Sequence, residues 1–112
     1  MQKELINEII GEVKPKAIAL FGSQAKGKAG KFSDYDLLII TKDEESRNKA
    51  EKFEKGKVEI HALTMRTALE LIHKGDPFFT QIIKECKPIY GEFYIKFLRE
   101  VAENVGKSKV VA

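Results

Sequence analysis

Residues Gly22 and Ser23, followed after a ten-residue spacer by Asp34 and then Asp36, carry the groups in this chain best suited to chemistry. A glycine at a strand end lets the backbone approach a ligand closely, and the free N–H groups of a following helical turn favour a phosphate. Ser23 adds a hydroxyl donor for that phosphate. Asp34 and Asp36 are two apart, so in an extended segment they share one face. Together they offer an oxygen-rich site for Mg²⁺, which takes one or two carboxylates plus waters and substrate phosphates. A third carboxylate on a neighbouring strand completes a two-ion site, and Glu59, within Val58-Glu59-Ile60, is the candidate. In such a site one ion activates an incoming hydroxyl and the other steadies a leaving pyrophosphate. The third acid orients the first ion or takes the proton.

The elements that position these groups follow from periodicity. Leu5, Ile6, Ile9, Ile10 and Val13 predict an amphipathic helix over 2–13, ended by Pro15. Ala17 to Phe21 predicts a short buried strand closed by Gly22. The segment from Gly22 to Lys31 reads as a loop with one helical turn, and 33–40 as a strand polar at its start and apolar at its end. A charged helix is expected over 43–55, and a third strand over 58–63, with Glu59 and His61 on one face. Thr64 is an N-cap for a helix carrying Met65, Ala68, Leu69 and Ile72, and Asp76-Pro77 opens another with Phe78, Phe79, Ile82 and Ile83. The last helix is expected over 92–105 on Tyr94, Leu98, Val101 and Val105, and 106–112 as a loose tail. The order α-β-β-α-β-α-α-α gives a small α/β or α+β domain.

Composition narrows the function classes. At 112 residues the chain holds one core, with room for a catalytic unit and little left for a substrate domain. A partner subunit or a second copy is therefore expected to bring or shape the substrate. No apolar run spans a bilayer and no leader pattern opens the chain, so a cytoplasmic protein is expected. The single Cys86 fits a reducing compartment and reads as packing. The net charge of +3 permits nucleic acid as an acceptor without arguing for it. Lysine supplies 17 of 20 basic residues and glutamate 13 of 17 acids, a bias that points to a thermophile. His61 reads as a packed strand histidine, and Lys26, Lys28 and Lys31 as solvated loop lysines. Phe93 and Phe97 add a second apolar line to the last helix, which reads as core packing first, with a docking or dimer surface as the alternative.

Gly22-Ser23, the ten-residue spacer and Asp34-x-Asp36 resemble the signature of the polymerase-β-type nucleotidyltransferase superfamily, in particular its minimal prokaryotic branch. The resemblance takes in Ser33, Leu37 to Ile40 and Val58-Glu59-Ile60, and more loosely Gly75-Asp76-Pro77-Phe78 and Ile89-Tyr90-Gly91, so it implies a catalytic core over residues 1–91. It implies a mixed sheet with flanking helices and transfer of a nucleoside monophosphate, AMP from ATP first, to an acceptor hydroxyl with two Mg²⁺ ions. It assigns triphosphate contact to Gly22 and Ser23, metal binding to Asp34 and Asp36, and the third acid to Glu59. Gln24 stands where many members have arginine, and Glu59 where aspartate is more usual. The minimal branch further implies a HEPN-domain partner, modified and silenced by the transferase acting as antitoxin. The alternative is a module that keeps the fold and neutralises such a partner by contact alone. A transferase for small-molecule hydroxyls, completed by oligomerisation, is the third reading.

Overall fold

A computed structural model describes residues 3–22 and 35–110, with side chains placed through residue 107. Among them the order is α1 (Lys3–Val13), β1 (Ala17–Phe21), β2 (Tyr35–Thr41), α2 (Glu44–Glu51), β3 (Val58–Thr64), α3 (Met65–Lys74), α4 (Pro77–Glu85), β4 (Lys87–Tyr90) and α5 (Glu92–Val110). The strands form one mixed sheet in the order β3-β2-β1-β4, with β1 antiparallel to both neighbours and β2 parallel to β3. This is the α+β architecture, a small mixed sheet with flanking helices, that the sequence predicts.

Both faces of the sheet are covered, which is why β1 and the second half of β2 read as continuous apolar runs. One face carries Ala17, Ala19, Phe21, Leu38 and Ile40 and packs on α3, α4 and α5 through Ile72, Phe79, Ile83, Ile95 and Leu98. The other carries Ile18, Leu20, Leu37, Ile39, Ile60 and Ala62 and packs on α1 and α2 through Ile6, Ile9, Val13 and Ala50. A one-residue slip of β2 would exchange the two sets, so burial on both sides pins the register.

Helix starts follow their caps. The Thr64 hydroxyl accepts from the Thr67 N–H at 3.1 Å, and the Asp76 carboxylate from the Phe79 N–H at 2.7 Å, with Pro77 at the first helical position. Asp43 caps α2 through the Ser46 N–H at 2.8 Å. That helix ends at Glu51, short of the expected residue 55, because the chain turns back around Gly56 (φ 59°) and pairs Lys55 with Val58.

Two further features depart from the sequence reading. β4 was not expected, since Lys87-Pro88-Ile89-Tyr90 is short and contains a proline; it lies at the sheet edge, where a missing N–H is tolerated. The last helix continues to Val110, past Val105 and into the stretch expected to be a loose tail, with Lys107 and Glu103 paired one turn apart at 3.2 Å. Its buried seam is Ile95, Leu98 and Ala102, with Tyr94, Val101 and Val105 at the flank. Among the described residues no helix is long and apolar enough to cross a membrane.

Two glycines should respond oppositely to alanine. Gly91 turns the chain from β4 into α5 at φ 67°, and a methyl group there would overlap the Lys16 carbonyl. Gly11 lies on the exposed side of α1 with nothing within 4 Å of a Cβ. In urea denaturation, Gly91→Ala should destabilise by about 2 kcal/mol, and Gly11→Ala should stabilise by about 0.5–1 kcal/mol.

Candidate functional site

The site lies at the end of the sheet where β1 leaves and β2 and β3 begin. Phe21 pairs with Asp36 across the antiparallel ladder, and Asp36 with Glu59 across the parallel one. Period-two alternation puts all three side chains on the face that packs against α3, α4 and α5, with His61 one pleat further along β3. Asp36 is largely covered, His61 partly, and Glu59 is exposed, so the cluster sits at the rim of the apolar layer with an open side.

Immediately after Phe21 the chain turns at Gly22 with φ 75°. A Cβ built there would stand 2.5 Å from Asp36 Oδ2. The backbone therefore closes on the carboxylate as only glycine allows without displacing it. Ser23 and Asp34, with Gln24, Lys26, Lys28 and Lys31, lie outside the described residues. Of the expected site residues, Gly22, Asp36 and Glu59 are brought together.

Electrostatics tie the two acids to each other. The Glu59 carboxyl titrates above the ordinary glutamate range, first because it shares a hydrogen bond with Asp36 and second because Asp36 adds a like charge. His61 opposes the shift, and Glu54 adds to it from the β3 edge, where its carboxylate accepts the Ile60 N–H at 3.0 Å. Two carboxylates held this way offer what a hard divalent cation binds, and such a cation would offset their repulsion. One ligand atom each from Asp36, Glu59 and His61 lie within 4.8 Å of one another, so these are the described residues able to hold an ion.

His61 is the group that sequence reasoning left in the core. Its ring is only part-covered, meets the edge of the Phe21 ring at 4.9 Å between centroids, and points Nε2 toward Asp36 Oδ1 at 3.8 Å. The signal was its two-residue spacing from Glu59. Beyond His61 a recess of about 420 Å³ opens at the β3 edge, lined by Leu63, Leu71, Phe78, Phe79 and Ile82. The arrangement thus sets a turn that approaches closely, a pair of acids able to hold a cation and an apolar recess side by side.

Residues 3–90 match the model of the nucleotidyltransferase domain family. No curated protein matches the chain. Among solved structures, a toxin-antitoxin crystal structure with AMP-PNP aligns over 99% of this chain and 94% of that one, at 18% identity and a TM-score of 0.57. A mutant of the toxin-antitoxin MntA-HpeT aligns over the same shares, at 16% identity and a TM-score of 0.60. At these identities the likeness is one of fold.

The raised Glu59 pKa has a definite sign. Metal-free folded chain holds this proton to higher pH than unfolded chain does, so the carboxyl's stabilising contribution is full in acid and lost as pH rises through its raised folded value. Glu59→Gln should therefore melt above the unsubstituted chain at neutral pH without divalent cations, and the gap should close toward acid pH. Adding Mg²⁺ should raise the melting temperature of the unsubstituted chain more than that of Glu59→Gln.

Proposed function

Because the chain belongs to the nucleotidyltransferase domain family, we propose that it transfers a nucleoside monophosphate, AMP from ATP, to a hydroxyl of a protein partner or of RNA. The observation that carries this reading is the cross-strand placement of Asp36 beside Glu59 with the Gly22 turn closed against it. Sequence alternation alone would not bring the two acids together beside the turn at Gly22.

In this reading Gly22 and Ser23 bind the triphosphate, the first by close backbone approach and the second through its hydroxyl. Asp34, Asp36 and Glu59 hold Mg²⁺, two ions in the complete site. When bound, Mg²⁺ polarises the phosphate and offsets the charge of the leaving pyrophosphate. Glu59 faces solvent at the open side of the cluster, where an acceptor enters, so it orients the acceptor hydroxyl or takes its proton. The Phe21 and His61 rings wall the site on its apolar side.

The protein partner we propose is a HEPN-domain toxin, with this chain as its antitoxin. The two toxin-antitoxin structures that share the fold, one with AMP-PNP, support a partner-directed role for this chain. The catalytic unit is residues 1–91, and α5 over 92–105 supplies the docking surface. Phe93 is 74% exposed and Phe97 42%, one turn apart on the outside of α5, where a monomer gains nothing from them. That patch also favours the second reading, neutralisation by contact alone.

One experiment separates the two. Chain incubated with α-labelled ATP, Mg²⁺ and a HEPN protein should label the partner, and Asp34→Ala with Asp36→Ala should lower the rate by about 100-fold or more. Phe93→Ser with Phe97→Ser should weaken partner capture while leaving nucleotide binding intact. Inhibition that survives loss of both aspartates, with no label transferred, would establish the contact-only module instead.

A further inference from the structure

We infer that His61 is a direct donor to the cation site and that it biases the site toward first-row transition cations over Mg²⁺. The inference rests on the reading of Asp36 and Glu59 as cation ligands, and adds a nitrogen donor that neither the acidic signature nor the phosphate turn supplies.

The spacing decides between two roles for the ring. His61 Nε2 stands 3.8 Å from Asp36 Oδ1, too far for a hydrogen bond, which ends near 3.5 Å. Two donors bound at roughly 2.1–2.2 Å to one ion stand about 3 Å apart when adjacent and about 4.3 Å when opposite. The observed separation falls between these limits, and the ligand atoms of Asp36, Glu59 and His61 all lie within 4.8 Å. An ion shared by Asp36 and His61 therefore suits this separation better than a direct contact, and the exposed Glu59 side chain, within 4.8 Å of both, can turn to join them.

The ring is held for this task from its apolar side. Phe21, buried beneath the sheet's end, presses the imidazole at 4.9 Å and 70°. Among the described residues neither ring nitrogen of His61 takes a hydrogen-bond partner. His73 differs in this respect, with its Nδ1 resting 3.2 Å from the Leu69 carbonyl. His61 also sits one pleat from Glu59 on the same strand, so the two donors move as a unit with β3. An aromatic neighbour that fixes orientation while leaving the nitrogens uncommitted suits a ligand better than a structural histidine, which ordinarily satisfies its polar atoms within the fold.

Donor type sets the preference. Mg²⁺ takes oxygen and keeps its waters, whereas imidazole raises affinity for transition cations in the order from Mn²⁺ to Cu²⁺. Mn²⁺ lies at the weak end of that order, which makes it the stringent probe, and it is paramagnetic.

The test uses the full chain with Mn²⁺ alone and then with ATP. Free Mn²⁺ is followed by electron paramagnetic resonance, Mg²⁺ affinity by competition, and the bound ion by pulsed measurements of coupling to ¹⁴N. Expected are ¹⁴N coupling in the unsubstituted chain, its loss in His61→Gln, and an Mn²⁺-over-Mg²⁺ preference lowered about tenfold or more by that substitution. Tight Mn²⁺ binding without ¹⁴N coupling would overturn the inference and leave the carboxylate site standing, with His61 a packing partner of Phe21. No Mn²⁺ binding in either condition would overturn both. Since absence of the coupling in the unsubstituted chain with Mn²⁺ alone overturns the inference without any variant, and His61→Asn can replace His61→Gln, the test stands even if His61→Gln fails to fold.

Discussion

The parallel pairing of β2 with β3 is the constraint on which the structure turns. It sets Asp36 opposite Glu59, each the second residue of its strand, so that Asp36 raises the Glu59 carboxyl above the ordinary range, by a shared hydrogen bond first and by its charge second. Left alone this is an unfavourable pair, and side chains on a flexible loop would separate. Here the pairing of their strands keeps the two backbone positions side by side. The hydrogen bond they share keeps the proton on Glu59, and a cation bound by both acids would take that proton's place.

What holds the register is apolar and lies away from the acids. Leu37 and Ile39 are fixed under α1 and α2, while Leu38 and Ile40 are fixed under the other three helices. Sliding β2 by one residue would exchange the sets under the two helical layers and carry Asp36 away from Phe21 and Glu59. β1 adds the remaining coordinate. Its Phe21 pairs with Asp36 and its following turn at Gly22 presses on that carboxylate, so three strands converge on one side chain. On the outer edge, Glu54 occupies the Ile60 N–H and blunts a strand that would otherwise be free to pair with another chain.

The legible parts of this molecule were the local ones. Thr64, Asp76-Pro77 and the apolar run of β1 carry their structure in neighbouring residues, and each lies where expected. Gly22 and Asp36 belong to a spacing motif, and Glu59 could be placed on a face by counting in twos. Their meeting could not be counted, because register between β2 and β3 depends on packing against helices far along the chain. β4 was hidden for a similar reason: four residues with Pro88 have no periodicity, and only β1 makes them a strand. In α5 the opposite problem arose. Phe93, Tyr94, Ile95, Phe97 and Leu98 present an apolar arc so broad that periodicity alone did not single out Ile95 and Ala102 as the buried seam. His61 is plainly a strand neighbour of Glu59, yet an isolated histidine says little until the ring that orients it, Phe21, is known to be adjacent.

If Asp36 and Glu59 act as one site, a double-mutant cycle on MgATP affinity tests it most directly. Calorimetry would give Kd for the unsubstituted chain, for Asp36→Asn, for Glu59→Gln and for the two combined. Two acids sharing a cation are coupled, so the double variant is expected to bind scarcely worse than the weaker single variant. Losses that simply add, each substitution weakening MgATP by its own factor, would show two independent surface carboxylates and contradict the shared site.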